Sequence, residues 1–257
     1  VPEGDTVYQT AHTLNRVLAG QLLTRSDIRV PRYATVDLSG RMIADVISRG
    51  KHLFMHLGDA TIHSHLKMEG SWHVYKHGTR WKRPAYQARI VLETETDVAV
   101  GFDLGTLEVL DAQGEAAASA RLGPDLLGAD WDADEAVRRL LARPDRMVSM
   151  ALLDQHNLAG IGNIYMNELC YLRGVLPTRP VGEVEHPEKM VALAHRLLDA
   201  NKLRPRTTTG RTRGDTTWVY GREGKPCLRC GTLINDGLIG GAGEFERHGY
   251  WCPHCQN

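Results

Sequence analysis

Apolar or small residues at Val7, Ala11, Leu14 and Leu18 recur at helical spacing, which predicts a helix over residues 6–18. Gly20 supplies its stop. The period then changes. Between residues 22 and 110 the apolar positions fall into short continuous or alternating runs, at 41–48, 51–57, 60–66, 70–75, 88–93 and 98–102. Turn signals at Arg49-Gly50, Gly58-Asp59 and His77-Gly78 separate them. Many short strands at this spacing predict a β-sandwich or barrel. From Asp130 the helical period returns, with Asp132 or Asp134 placed as an N-cap, and residues 132–200 carry several helices. The stretch 204–215, rich in Thr, Arg and Gly, reads as a loop or linker. The chain has no internal repeat and no low-complexity tract.

The 257 residues hold 42% hydrophobic and 24% charged side chains. That is an ordinary soluble balance for one or two domains, and it excludes a mainly disordered chain, a collagen and a coiled coil. A chain of this size buries enough surface to need no disulfides. No apolar run reaches the ~18 residues of a membrane span, so no membrane partner is expected. Residues 1–10 lack the basic and apolar regions of a secretory signal, and the expected compartment is the cytoplasm, beside the nucleoid. The 31 basic and 31 acidic residues balance overall but are unevenly placed. Residues 51–90 are net +5, residues 91–160 net −9 and residues 201–257 net +4. Two separated basic segments are compatible with one polyanion-binding face, or with ordinary fluctuation of charge along a chain.

The cysteines are more specific. Cys227 and Cys230 form one C-x-x-C, Cys252 and Cys255 a second. Each spacing lets two thiolates grip one tetrahedral ion, and the intervening segment can form a hairpin that joins the pairs. Gly231, Gly240, Gly241 and Gly243 bracket it as turn residues. This predicts a structural Zn2+ site with all four cysteines as ligands. A redox role would explain one pair, not two. Cys170, alone in an apolar helical stretch, is expected to be a buried spectator. Six of the twelve histidines fall between His52 and His77, and His63 and His65 share a strand face. Core or solvated histidines are the expectation there, ahead of a second metal site.

The segment from Leu152 to Tyr165 interrupts helical sequence with Gly160, Gly162 and Asn163. These glycines permit positive φ and close backbone approach. A helix opening near Asn163 offers amide groups to a phosphate, although a helix–turn–helix corner without a ligand would read the same way.

Taken in order, Pro2-Glu3-Gly4-Asp5, Arg49-Gly50-Lys51, the segment 152–168, and Arg247 ahead of Tyr250-Trp251-Cys252-Pro253 resemble the formamidopyrimidine-DNA glycosylase and endonuclease VIII family, on its endonuclease VIII side. The resemblance spans nearly the whole chain. It implies an α+β fold: an N-terminal β-sandwich led by a helix (1–120, catalytic), a helical helix-two-turn-helix domain (125–205) and a four-cysteine zinc finger (215–257), with DNA bound between the halves. It implies a bifunctional DNA glycosylase and abasic-site lyase acting on damaged DNA, most of all oxidised pyrimidines. Pro2 matches the family's N-terminal amine nucleophile, Glu3 its general acid/base and Lys51 its hairpin lysine. Asn163 and Arg247 match its phosphate-pinning pair. No small-molecule cofactor other than zinc is implied, and a monomer is expected.

Three departures shape the expectation. Val1 precedes Pro2, and with Val1 in place the Pro2 nitrogen is an amide that cannot form an iminium. The expectation is that residue 1 is an initiator whose removal frees Pro2. The wedge region reads His65-Leu66-Lys67-Met68-Glu69-Gly70. There Met68 can fill the void left by a flipped base, but Glu69 stands where the endonuclease VIII branch has a bulky residue. Asp103-Leu104-Gly105 lacks the Arg and aromatic that the other branch carries after this Asp. Poor replacement of an orphaned base predicts a preference for single-stranded, bubble or fork DNA. The competing readings are a catalytically silent zinc-finger DNA-binding relative, should Val1 mask Pro2, and a zinc-ribbon transcription or RNA factor. The latter leaves Pro2-Glu3, Lys51 and the Gly160–Asn163 turn unexplained.

Overall fold

The computed structural model describes residues 2–240 and 245–257. Val1, Gly241 and Gly243 lie outside the described residues. The chain forms two compact units, one holding Pro2 and residues 6–120, the other Glu3–Asp5 and residues 121–257.

The helix α1 (Gly4–Leu18) belongs to the first unit from Thr6 onward. Val7, Ala11, Leu14 and Leu18, the residues of the helical stripe, are its buried face. The strands β1 (Arg25–Ile28), β2 (Asp45–Arg49), β3 (His52–Leu57), β4 (Ala60–His65), β5 (Ser71–Lys76), β6 (Ala88–Glu93), β7 (Asp97–Phe102) and β8 (Thr106–Leu110) follow. They make two antiparallel four-stranded sheets, ordered β1-β6-β7-β5 and β2-β3-β4-β8. One core joins the buried faces of α1 and both sheets through Leu14, Leu18, Leu53, Met55, Ile62, Ile90 and Leu92. A second cluster, with Phe102, Tyr75 and Trp81, covers further residues of β5, β6 and β7. The unit is thus the expected helix-led sandwich.

Some elements differ from the pattern. The run 41–48 is a strand only from Asp45, because Met42 makes a lone bridge to Leu22. β1 reads Arg-Ser-Asp-Ile and carries no alternation to detect. The helix α2 (Ala112–Ala120) buries no residue, so no apolar stripe announces it. Glu115 attaches it instead, accepting from Thr61 Oγ1 at 2.6 Å and bonding His56 Nε2 at 2.9 Å.

The second unit holds α3 (Ala133–Leu140), α4 (Val148–Leu153), α5 (Asn163–Arg173) and α6 (Pro187–Asn201). Asp132 is the N-cap of α3, its side chain accepting from Glu135 N. Leu152, Ile161, Tyr165, Leu169, Ala194 and Leu198 belong to one core. The hairpin of β9 (Asn235–Ile239) and β10 (Arg247–Trp251) ends the chain. No described helix is long and apolar enough to cross a membrane.

Candidate functional site

The turn between α4 and α5 is built around Glu3. This side chain is fully buried. Its carboxylate accepts from the amides of Gly162 at 2.8 Å, Ile164 at 2.7 Å and Tyr165 at 3.2 Å. The first-turn amides of α5 are unpaired within the helix and carry its positive dipole end, so a carboxylate satisfies both. These amides are therefore not free for a phosphate, which corrects the expectation drawn from the turn sequence. An acid from the chain's own start has taken the place.

The glycines follow from this contact. Gly160 has φ +118° and Gly162 an extended backbone, so only the first needs glycine for its torsion. A Cβ on Gly162 would stand 2.5 Å from Glu3 Cδ, and one on Gly4 would stand 2.9 Å from Gly160 Cα. Gly4 N donates to Gly160 O at 2.9 Å. Two backbones approach until only hydrogen fits between them, and that fixes Glu3.

Asp5 extends the network. Arg206 grips its carboxylate with two nitrogens, Nε at 2.7 Å, and Tyr165 Oη donates to it at 2.9 Å. The guanidinium also lies over the Tyr165 ring, 5.1 Å from its centroid. Asn201, at the end of α6, donates to Tyr165 Oη at 3.0 Å. Sequence reading assigned Asp5 no partner and Arg206 no role. The only signal was that 204–215 is an arginine-rich loop.

Asn163 opens α5. Its Nδ2 donates to His248 O at 2.8 Å. Arg247, the neighbour of His248, begins β10 and is exposed. The structure thus brings Glu3, Asn163 and the Arg247 strand together in one unit. Glu168, on the same helix, is fully buried and accepts from Thr208 Oγ1 and from the amides of Trp218 at 2.7 Å, Val219 at 2.9 Å and Tyr220 at 2.9 Å. Burial raises its pKa even against these donors. Glu168 fastens both ends of the 208–220 loop, a task the sequence did not reveal.

The four cysteine sulfurs lie within 4.8 Å of one another. Cys227 Sγ is 4.0 Å from Cys255 Sγ, and Cys230 Sγ 3.5 Å from Cys252 Sγ. Tetrahedral bonds of ~2.3 Å place sulfurs ~3.8 Å apart, so the cluster fits a metal ion. The β9–β10 hairpin joins the pairs as the spacing predicted. Among the described residues this is the His, Cys, Asp or Glu grouping that suits a metal. Cys170 is buried, and burial pushes its thiol up to about 12, as befits an inert core residue.

Lys51 lies in the first unit, at the tip of the β2–β3 hairpin beside Gly50 of φ +57°. His52 pairs with His65 across β3 and β4, so this tip and the turn after β4 share one end of the sheet. The histidines form a polar stack. His63 Nδ1 bonds Glu108 Oε2 at 2.9 Å, and His52 Nδ1 lies 2.8 Å from His63 Nε2. The His63 ring thus bridges Glu108 and His52 through its two nitrogens. Burial first, then the charge of neighbouring groups including His63, Lys67 and Lys51, pushes His52 down to about 4. Burial, His52, Lys67 and Lys51 push His65 to about 3. His65 Nδ1 accepts from Lys67 N at 2.9 Å, at a left-handed φ of +54°. Met68 follows, 67% exposed. Arg83 buttresses this turn, donating to Glu69 O at 2.9 Å and Ser71 Oγ at 3.0 Å, and to the Asp103 carboxylate. After Asp103, Leu104 points into the core.

The comparisons with known proteins come down on one side. The formamidopyrimidine-DNA glycosylase N-terminal domain model matches residues 1–104, and the H2TH domain model of the same glycosylase matches residues 122–200. The chain is similar to the "DNA-(apurinic or apyrimidinic site) lyase Nei2" of Mycolicibacterium smegmatis, 54% identical over 100% of this chain and 99% of that one. It is 53% identical to "Endonuclease 8 2" of Mycobacterium tuberculosis, with both chains fully covered. Among solved structures, a MutM complex with DNA containing carbocyclic 8-oxo-G superposes with TM-score 0.82 at 24% identity, both chains fully covered. The Lactococcus lactis Fpg complex with abasic-site DNA gives 0.81 at 22%, covering 99% of each chain. These two establish the fold.

Proposed function

The chain belongs to the formamidopyrimidine-DNA glycosylase family, with relatives of 53–54% identity named as endonuclease 8 and abasic-site lyase, and from that premise we propose that it removes oxidised bases and nicks abasic sites through the Pro2 amine. The observation that carries the reading is the fixed carboxylate of Glu3, one peptide bond from Pro2 and seated on the first turn of α5 beside Asn163.

An N-terminal amine has a pKa near ~8, against ~10.4 for lysine, so at neutral pH far more of it is the free nucleophile. Its nitrogen bonds to C1′ as the C1′–base bond breaks, and the base leaves with a proton. Glu3 protonates the sugar ring oxygen, which opens the ring to an iminium. The iminium acidifies C2′–H. Loss of that proton expels the 3′ phosphate, and a second elimination expels the 5′ phosphate. Lys51 contacts phosphate or the departing base. Asn163 and Arg247 hold phosphates around the extruded nucleotide, Arg by a two-nitrogen grip. Cys227, Cys230, Cys252 and Cys255 would hold a Zn2+ ion, which when bound would fix the hairpin that presents Arg247.

Preference for single-stranded or locally open DNA belongs to the same proposal. Met68 is exposed and available as a wedge, but exposed Glu69 beside it is a poor neighbour for stacked bases, and Leu104 is spent in the core. Protein whose residue 1 is read by intact mass provides the test. Cleavage of an abasic single strand should fall at least a hundredfold in Pro2→Gly, while DNA affinity stays within about threefold. Equal rates on single-stranded and matched duplex lesions would remove the strand preference. Unchanged cleavage by Pro2→Gly would remove the mechanism.

A further inference from the structure

Beyond Arg247, the helical unit carries a feature that no part of this mechanism uses. Phe245 stands just ahead of β10 with 86% of its surface exposed. Together with Arg143, Arg146 and Arg247 it lines an open pocket of about 390 Å3 whose floor is Met150 and Leu153. Arg143 and Arg146 come from the segment that leads into α4, and Phe245 and Arg247 from around the start of β10, so two distant parts of the chain converge. Asp154 is the lone acid lining it and is engaged with Arg146 at 2.7 Å. The walls therefore carry a net two positive charges, those of exposed Arg143 and Arg247.

A single exposed aromatic is unremarked on most surfaces. Here it is framed by guanidinium groups over an apolar floor, which is the pairing that single-stranded nucleic acid uses: a π-face for the base and cations for the backbone. The volume is that of a small-ligand pocket. The neighbour of Arg247, His248, receives the Asn163 hydrogen bond, so the pocket continues the strip of residues assigned to phosphates.

We propose that this pocket binds one unpaired nucleotide of the damaged strand, its base on the Phe245 ring and its phosphate between Arg143 and Arg247. The proposal rests on the DNA-repair reading and deepens it. A base already paired and stacked in a duplex cannot use Phe245 without being pulled out. Stacking there rewards an open strand, which supplies a positive cause for a preference that the wedge residues explain only by deficiency.

The test is binding by fluorescence anisotropy to a short single strand holding one abasic-site analogue, and to the same strand in a matched duplex. Phe245→Ala should weaken single-strand binding about tenfold and duplex binding less than twofold, and Phe245→Trp should restore it. Arg143→Ala should weaken binding and lower the single-strand salt slope by about 0.7, one phosphate contact. Both side chains are exposed, so the melting temperature should not move. Wild-type affinity in Phe245→Ala, or equal losses on both DNAs, would overturn the proposal. So would a Trp variant as weak as the Ala variant. Borohydride trapping at saturating single strand separates the two readings. Adduct formation by Phe245→Ala leaves the lyase chemistry standing whatever becomes of the pocket. Absence of adduct from wild type with a free Pro2 amine removes the chemistry, while the anisotropy still decides the pocket.

Discussion

Glu3 does two things with one carboxylate. In the proposed mechanism it is the acid/base, and in the structure it is the anion that closes the α5 N-terminus. Glu3→Gln is therefore not a purely chemical lesion. Its amide group would turn hydrogens toward buried N–H donors, and hydrogen bonds to charged groups contribute about 1.5–3 kcal/mol. We expect Glu3→Gln to lose roughly 2 kcal/mol of stability along with cleavage, measured by urea denaturation. Gly162→Ala, whose Cβ collides with Glu3, should cost both as well. An unchanged denaturation midpoint in both variants would contradict the double role. The histidine stack makes a separate prediction. His52 and His65 are held near 4 and 3, whereas an unfolded histidine titrates near ~6.5. The unfolded chain thus binds protons first. Stability is full above pH ~6.5 and declines as pH falls through that value toward 4, by about 1.4 kcal/mol per pH unit for each proton taken up. His52→Phe should flatten the slope between pH 6 and 4. A slope equal to wild type would show that His52 is not a source of it.

The elements that were readable in the sequence are those whose burial follows a period. The stripe of α1 and the apolar runs of β3, β4, β6 and β7 each bury the faces the pattern marked. The elements that escaped are held by polar contacts with no period: α2 through Glu115, and the 208–220 loop through Glu168. At the site, the Gly160–Asn163 turn was legible as a place of close approach. Its occupant was not, since Glu3 lies about 160 residues away in sequence. The cysteine hairpin was legible because ligand spacing is local. That hairpin yields a prediction of its own. One Zn2+ per chain should appear in native mass spectra and vanish in Cys227→Ser. Cys227 and Cys252 pack with Tyr171, Val219 and Ile234, so chelation should also change tryptophan emission from nearby Trp218. Metal-free protein with full DNA affinity and unaltered emission would contradict a structural zinc.

Over the whole molecule, net charge says less than its arrangement. Much of the acidic middle of the chain is consumed in internal pairs: Glu93 with Arg25, Asp97 with Lys76, Asp103 with Arg83, Asp154 with Arg146. The asymmetry seen along the sequence is thus partly structural, and Lys76 and Arg83 of the basic 51–90 segment cannot both be counted in full toward a DNA face. What the two units share is a single claim. Pro2 and Lys51 lie in the sandwich unit, Glu3, Asn163 and Arg247 in the helical unit, and the proposed mechanism assigns all five to one reaction. Borohydride reduction on a single-stranded oligonucleotide with one abasic site tests that claim most directly, using protein shown by intact mass to begin at Pro2. The account predicts a covalent adduct that peptide mapping places on Pro2 and that Pro2→Gly alters or abolishes. An adduct on a lysine, or none at all from protein with a free Pro2 amine, would contradict it.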